Sequence, residues 1–135
     1  VAARPSMGKT AFSMNVIQQV SAQMIPTAVF SLEMSKQQLA QRMLCSISDV
    51  DQQKVRKGQL THDEYQKLAK TVLNLKKLPV FIDDSPQLTT LDFRTKARRL
   101  KHEHDIRCIM IDYLQLMDNP GPESRQQQIT EISRG

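Results

Sequence analysis

Ala2-Ala3-Arg4-Pro5-Ser6-Met7-Gly8-Lys9-Thr10 stands at the head of the chain and runs directly into a helix-forming stretch. A turn that ends in Gly-Lys-Thr just before a helix is a way of holding the phosphates of a nucleoside triphosphate. Backbone N–H groups curl around the phosphates, the lysine reaches the outer ones, and the hydroxyl takes Mg²⁺. The positive end of the helix adds to the attraction. Gly8 lets the backbone approach a phosphate with no Cβ in the way. The generic spacing G-x-x-x-x-G-K-[ST] is incomplete, because Ala3 stands five positions before Gly8 and Pro5 removes one N–H donor. A bare Gly-Lys-Thr also fits a surface turn, so the rest of the chain has to discriminate.

Working outward, the pattern alternates helix and strand. Residues 9–24 put Met14, Ile17, Val20 or Ser21, and Met24 on one face, the spacing of an amphipathic helix that Pro26 ends. Residues 27–32 form a short apolar run rich in strand formers. Ser35 with Gln38 predicts a capping box opening a helix over 36–47, and Thr61 with Glu64 predicts another over 62–76, with Gly58 breaking the stretch between. Pro79 stands at the start of a second strand ending at Asp83, where its missing N–H is tolerated. Thr89 with Asp92 starts a helix reaching His104, with Leu91, Ala97 and Leu100 towards the sheet. Residues 107–112 form a third strand whose continuous apolar centre predicts burial on both faces. A loop at 118–123 and a polar helix from Arg125 follow. Strand and helix in alternation predict an α/β fold, a mostly parallel sheet flanked by helices.

The 135 residues are one domain or part of one. Apolar residues at 39% and charged residues at 24% are compatible with a folded core. With six aromatic residues and no Trp, the seven Met share the core filling with Leu, Ile and Val. A net charge of +5 fits an anionic partner, nucleotide or nucleic acid, without requiring one. Cys45 and Cys108 lack the spacing of a zinc site and read as buried free thiols in a reducing, cytoplasmic compartment. His62, His102 and His104 fall in polar stretches and are expected at the surface. No run of 18 apolar residues suggests a membrane span, and no secretory signal opens the chain. The phosphate loop follows only two residues, with no initiating Met, and the last residues read as the inside of a helix. The sequence is therefore expected to be truncated at both ends.

In parallel sheets, ligands bind at the carboxyl ends of the strands. Glu33, the Asp83-Asp84 pair and Asp112 fall there. Asp112 could hold Mg²⁺ opposite the Thr10 hydroxyl, or cap the next turn. Glu33 could orient and deprotonate the water that attacks the γ-phosphate, or be an ordinary solvated strand-end glutamate. Asp83 and Asp84 read as structural, capping a turn before the helix at Thr89. Arg94, Lys96, Arg98, Arg99, Lys101 and His102 could form a nucleic-acid face. Because no aromatic residues interleave with these basic positions for base stacking, a solvated outer helix is the preferred reading.

Taken together, Ala3–Thr10, Phe30-Ser31-Leu32-Glu33-Met34 and Ile111-Asp112-Tyr113-Leu114-Gln115-Leu116-Met117 resemble the successive ATPase motifs of the DnaB-type replicative DNA helicases. Arg56-Lys57-Gly58-Gln59-Leu60 and Ile82-Asp83-Asp84-Ser85 through Leu88-Thr89 resemble the same family in the same order, so the likeness covers nearly the whole chain. Ala in place of the first loop glycine is usual in that family. The resemblance implies a partial RecA-like P-loop ATPase domain over 1–135, from the C-terminal half of a hexameric ring. Such rings encircle single-stranded DNA and move 5′ to 3′ while hydrolysing nucleotide. It implies ATP held by Ser6, Met7, Gly8, Lys9, Thr10 and Ala11, with Lys9 on the β- and γ-phosphates. Thr10 and Asp112 would hold Mg²⁺, and Glu33 would be the base. It also implies a primase and a helicase loader as partners of the parent. The family's polar sensor, DNA-contacting loops, arginine finger and primase-binding scaffold have no counterpart in this sequence. Two other readings stay open: a RecA-like recombinase or signalling ATPase that unwinds nothing, and an inactive fragment that only binds nucleotide.

Overall fold

A computed structural model of the chain describes residues 7–113. The elements, in order, are α1 (Lys9–Ala22), β1 (Thr27–Ser31), α2 (Lys36–Ser48), α3 (Gln52–Lys57), α4 (His62–Leu75), β2 (Val80–Asp83), α5 (Thr90–His104) and β3 (Cys108–Asp112). The alternation expected from the sequence is present, with one addition, the short helix α3. Ser6, the 118–123 loop and the helix expected from Arg125 lie outside the described residues. The chain divides into two compact units, one formed by residues up to 24 with 37–79, the other by 25–36 with residues from 80 on.

The first unit is helical. Met14, Ile17 and Ser21 are the buried residues of α1, so the choice between Val20 and Ser21 falls to the serine. Its hydroxyl donates to the Gln18 carbonyl at 3.2 Å. Ser48 of α2 and Thr71 of α4 are also buried and donate to the carbonyls of Leu44 and Lys67, at 2.7 and 2.8 Å. Bonding back to the preceding turn is what lets a hydroxyl occupy a buried helix position without an unsatisfied group. Met24 does not lie on the buried face as expected; it is 62% exposed. The helix stops at Ala22, and Gln23 and Met24 turn away from it, Met24 in the left-handed region at φ 58°.

α3 is closed by local signals at both ends. The Asp51 carboxylate accepts from the Gln53 N–H, and Gly58 caps the other end at φ 66°. Glycine takes that left-handed conformation without a Cβ penalty. α4 opens on the expected capping box: the Thr61 hydroxyl accepts from Glu64 N, and Glu64 reaches back to Thr61 N. Cys45 is a buried free thiol, and burial, helped by Asp51, raises its pKa. Cys108 is free but only half-buried.

The second unit is a three-stranded parallel sheet in the order β2-β1-β3. Thr27 pairs with Val80 on one side and Cys108 on the other, and Ser31 reaches Asp112. All five residues of β1 are buried. β3 departs from its expected burial on both faces, with Ile109 at 44% exposure. Among the described residues β3 is paired along one edge only, which leaves its apolar side chains less covered than those of the central strand. Ala28, Phe30, Leu88 and Ile106 form the core of this unit.

α5 packs on that core through Phe93, Ala97 and Leu100, an i, i+4, i+7 stripe. Phe93 meets Phe30 edge to face at 4.9 Å between centroids. Leu91 falls off this stripe and is 74% exposed, contrary to the sequence expectation. The Thr89–Asp92 capping box opens the helix as predicted. At its far end the His104 ring stacks on Phe81 at 4.1 Å. All three histidines are exposed, as expected.

Candidate nucleotide site

In the helical unit, α1 begins directly after Gly8, which takes the left-handed conformation at φ 82°, ψ 16°. An L-residue with a Cβ would be strained there. The first backbone bond of the helix runs from Phe12 N to Gly8 O at 2.9 Å. The N–H groups of a first helical turn have no partner inside the helix, and a glycine cap brings no side chain to them. No acidic residue stands in the first turn of α1. A helix start of this kind, with Lys9 and Thr10 as its first two residues, suits an anion. Lys9 and Thr10 are half-buried, whereas Met7 and Gly8 are exposed.

In the sheet unit, β1 and β3 end side by side. Their ladder closes on Ser31 opposite Asp112 and extends one step further, the Leu32 N–H donating to the Asp112 carbonyl at 2.8 Å. Glu33 is the next residue and is exposed, while Asp112 is 5% exposed. The peptide bond from Asp112 to Tyr113 is cis. The carboxyl ends of these two adjacent parallel strands thus carry one acidic residue each, Glu33 two positions past the end of β1 and open to solvent, and Asp112 the buried last residue of β3. Ligands of α/β proteins bind at such ends.

The end of β2 is built differently. Asp83 accepts from the Ser85 N–H at 3.0 Å and from Lys96 Nζ at 2.7 Å, and the same ammonium donates to Ser85 Oγ at 2.7 Å. Burial works against the charged form of Asp83. The bonds from Lys96 and Ser85 outweigh it and hold the carboxyl below its ordinary value. The structural reading of Asp83 agrees with this geometry. Asp84 is also structural in its bonding, but not at the turn before Thr89: its Oδ2 accepts from the Lys36 N–H at 2.8 Å. Forty-eight positions separate the two residues, so no local sequence signal could have paired them. Of the basic residues on α5, Lys96 is tied to Asp83 rather than presented to a ligand.

Among the described residues no group of three or more His, Cys, Asp or Glu could enclose a metal ion. Mg²⁺ does not need one, since it keeps several waters and takes one or two protein oxygens beside those of a phosphate. The Thr10 hydroxyl and the Asp112 carboxylate are hard oxygen donors of the kind it takes. No helix among the described residues is long and apolar enough to cross a membrane.

A glycine-capped helix opening on Lys-Thr and a parallel sheet with acidic strand ends are the parts of a P-loop α/β nucleotide-binding protein. The chain belongs to the DnaB-like helicase C-terminal domain family, whose family model matches residues 1–135. It is 47% identical to the replicative DNA helicase DnaB of Geobacillus stearothermophilus and 44% identical to the replicative DNA helicase DnaC of Bacillus subtilis strain 168. In each case the match covers 99% of this chain and 30% of the relative. The chain therefore spans under a third of the length of these two relatives. Two solved structures share the fold at 29% identity, each over 97% of this chain. One is a DnaB-like replicative helicase described with its interactions with primase, with a TM-score of 0.90 over 32% of that chain. The other is an ATPase domain, with a TM-score of 0.91 over 48% of that chain. The fold is accordingly RecA-like, as expected from the motifs.

Proposed function

We propose that this chain is the nucleotide-hydrolysing part of a replicative DNA helicase, which couples ATP hydrolysis to 5′–3′ movement on single-stranded DNA and to duplex unwinding. The observation that carries this reading is the shared end of β1 and β3. It sets exposed Glu33 one residue past the ladder and buried Asp112 on its last rung. The same chain opens α1 on Gly8-Lys9-Thr10.

In this reading the N–H groups of Ser6, Met7, Gly8, Lys9, Thr10 and Ala11 hold the ATP phosphates, and the Lys9 ammonium lies on the β- and γ-phosphates. Thr10 and Asp112 are the residues that would hold Mg²⁺, which when bound would supply neutralising charge to the phosphoryl oxygens. Glu33 accepts a proton from the attacking water and orients it towards the γ-phosphate. Its exposure suits this task, because an open carboxylate can reach substrate water without first breaking a bond of the fold. ATP hydrolysis then drives a homo-hexameric ring along the strand.

A primase is a partner of the full-length protein, by analogy with the DnaB-like helicase described with its primase. A helicase loader is the second partner. The two free thiols support a reducing, cytoplasmic setting.

Strand displacement on a forked DNA duplex tests the function. The full-length protein is expected to separate the strands with ATP and Mg²⁺, and to fail with a non-hydrolysable ATP analogue. DNA-stimulated ATP turnover with an intact fork would instead assign a RecA-like ATPase that unwinds nothing.

A further inference from the structure

Glu33 stands on a loop of only four residues, 32–35, between β1 and α2, and that loop is held at both ends by side chains with no role in the reading above. At its start, the Ser31 Oγ donates to the Met34 carbonyl at 2.7 Å and accepts from the Met34 N–H at 3.2 Å. Ser31 is 2% exposed and faces Asp112 across the ladder. One hydroxyl therefore closes the turn whose middle residues are Leu32 and Glu33. At its far side, the Asp84 carboxylate takes the N–H of Lys36, the first residue of α2, at 2.8 Å. Between these points the Leu32 N–H is fixed to the Asp112 carbonyl. Hydrogen bonds with the Ser31 hydroxyl, and from backbone N–H groups to the Asp84 carboxylate and the Asp112 carbonyl, thus restrain the backbone around an exposed glutamate that could otherwise sample many positions.

We infer that Ser31 and Asp84 are positioning residues for the Glu33 carboxylate, fixing the loop that carries it relative to Asp112. This rests on Glu33 being the base. Neither residue touches substrate in this account. Each acts through the loop, and general-base catalysis is sensitive to such restraint, because an ångström of misplacement can cost orders of magnitude in rate. Asp84 is the better probe, because it is exposed and its loss leaves the core intact. The carbonyl oxygen of Asn can still accept from the Lys36 N–H, whereas Ala cannot.

The experiment is ATP turnover by the full-length protein in Glu33→Gln, Asp84→Ala, Asp84→Asn, Ser31→Ala and the double variant Glu33→Gln/Asp84→Ala. Asp84→Ala and Ser31→Ala are expected to lower kcat by roughly tenfold with KM for ATP unchanged. Asp84→Asn is expected to restore most of the rate. In the Glu33→Gln background, Asp84→Ala is expected to change the residual rate by less than about twofold, since the group it positions is already lost. Inactive Glu33→Gln with Asp84→Ala at the parent kcat overturns the positioning role alone. So does a full further loss in the double variant, or an Asp84→Asn protein as impaired as Asp84→Ala. Glu33→Gln turning over at the parent rate overturns the base assignment, and this inference with it.

Discussion

The carboxyl end of β2 and the joined carboxyl ends of β1 and β3 each carry two acidic residues, and the fold treats the two regions differently. At the end of β2, Asp83 is bonded to Lys96 and Ser85, and Asp84 to the Lys36 N–H. Where β1 and β3 end, Glu33 faces solvent on a restrained loop and Asp112 is buried on the last rung. Position at a strand end therefore nominates a carboxylate without assigning it. What separates the two regions is the bonding of Asp83 and Asp84 into the fold at β2 and the solvent exposure of Glu33 at the end of β1. In this account β2 supplies structure, and β1 with β3 supplies the site.

The largest expected effect belongs to the phosphate loop. Lys9→Ala in the full-length protein should weaken ATP binding by about 100-fold, because a charge-assisted contact to phosphate is lost. Nucleotide titration of the variant against the parent measures it. Unchanged binding would remove Lys9 from the site. Next, Asp112→Asn should raise the Mg²⁺ concentration for half-maximal turnover by about tenfold while the protein stays folded. A parental Mg²⁺ dependence would return Asp112 to a purely structural role and erase the contrast with β2.

The smaller effects concern stability. Lys96→Met should cost about 1 kcal/mol in urea unfolding, since it leaves the Asp83 carboxylate without its main partner, and should leave kcat within about twofold. A large rate loss at unchanged stability would bring the β2 end into the site. Smallest is the pH effect of the same pair. Asp83 is held below its ordinary value of 3.8, so the folded state binds its proton less readily than the unfolded chain does. Its contribution is intact above that ordinary value and disappears as the pH falls through the lower folded value. The difference in stability between parent and Lys96→Met should therefore shrink on acidification below about pH 4, where melting curves of the two should converge.

What can be read in the sequence depends on the span of the interaction. The capping boxes of Thr61 with Glu64 and Thr89 with Asp92 are legible because both partners lie within one turn. The glycine at the start of α1 is legible for the same reason. α3 escapes a sequence reading although it has signals, an Asp51 cap and Gly58 flanking six residues. A six-residue helix shows too little periodicity to stand out. Hydrophobicity alone puts Leu91 and Met24 on buried faces. The actual faces are set by the Phe93, Ala97 and Leu100 stripe and by the early end of α1. The exposure of Ile109 cannot be read from its own strand, because coverage depends on neighbours. Glu33 and Asp112 are nominated by their strands, and the structure brings those two strand ends together. The role of Asp84 is out of reach, because its partner is remote in sequence and is a backbone N–H, which carries no residue identity.

The most direct test of the contrast sets Glu33→Gln beside Asp83→Asn in the full-length protein, with ATP binding and ATP turnover measured on each. The account predicts that Glu33→Gln binds ATP as the parent does and loses turnover by at least about 100-fold, while Asp83→Asn turns over within about twofold of the parent. Turnover by Glu33→Gln at the parent rate would contradict it.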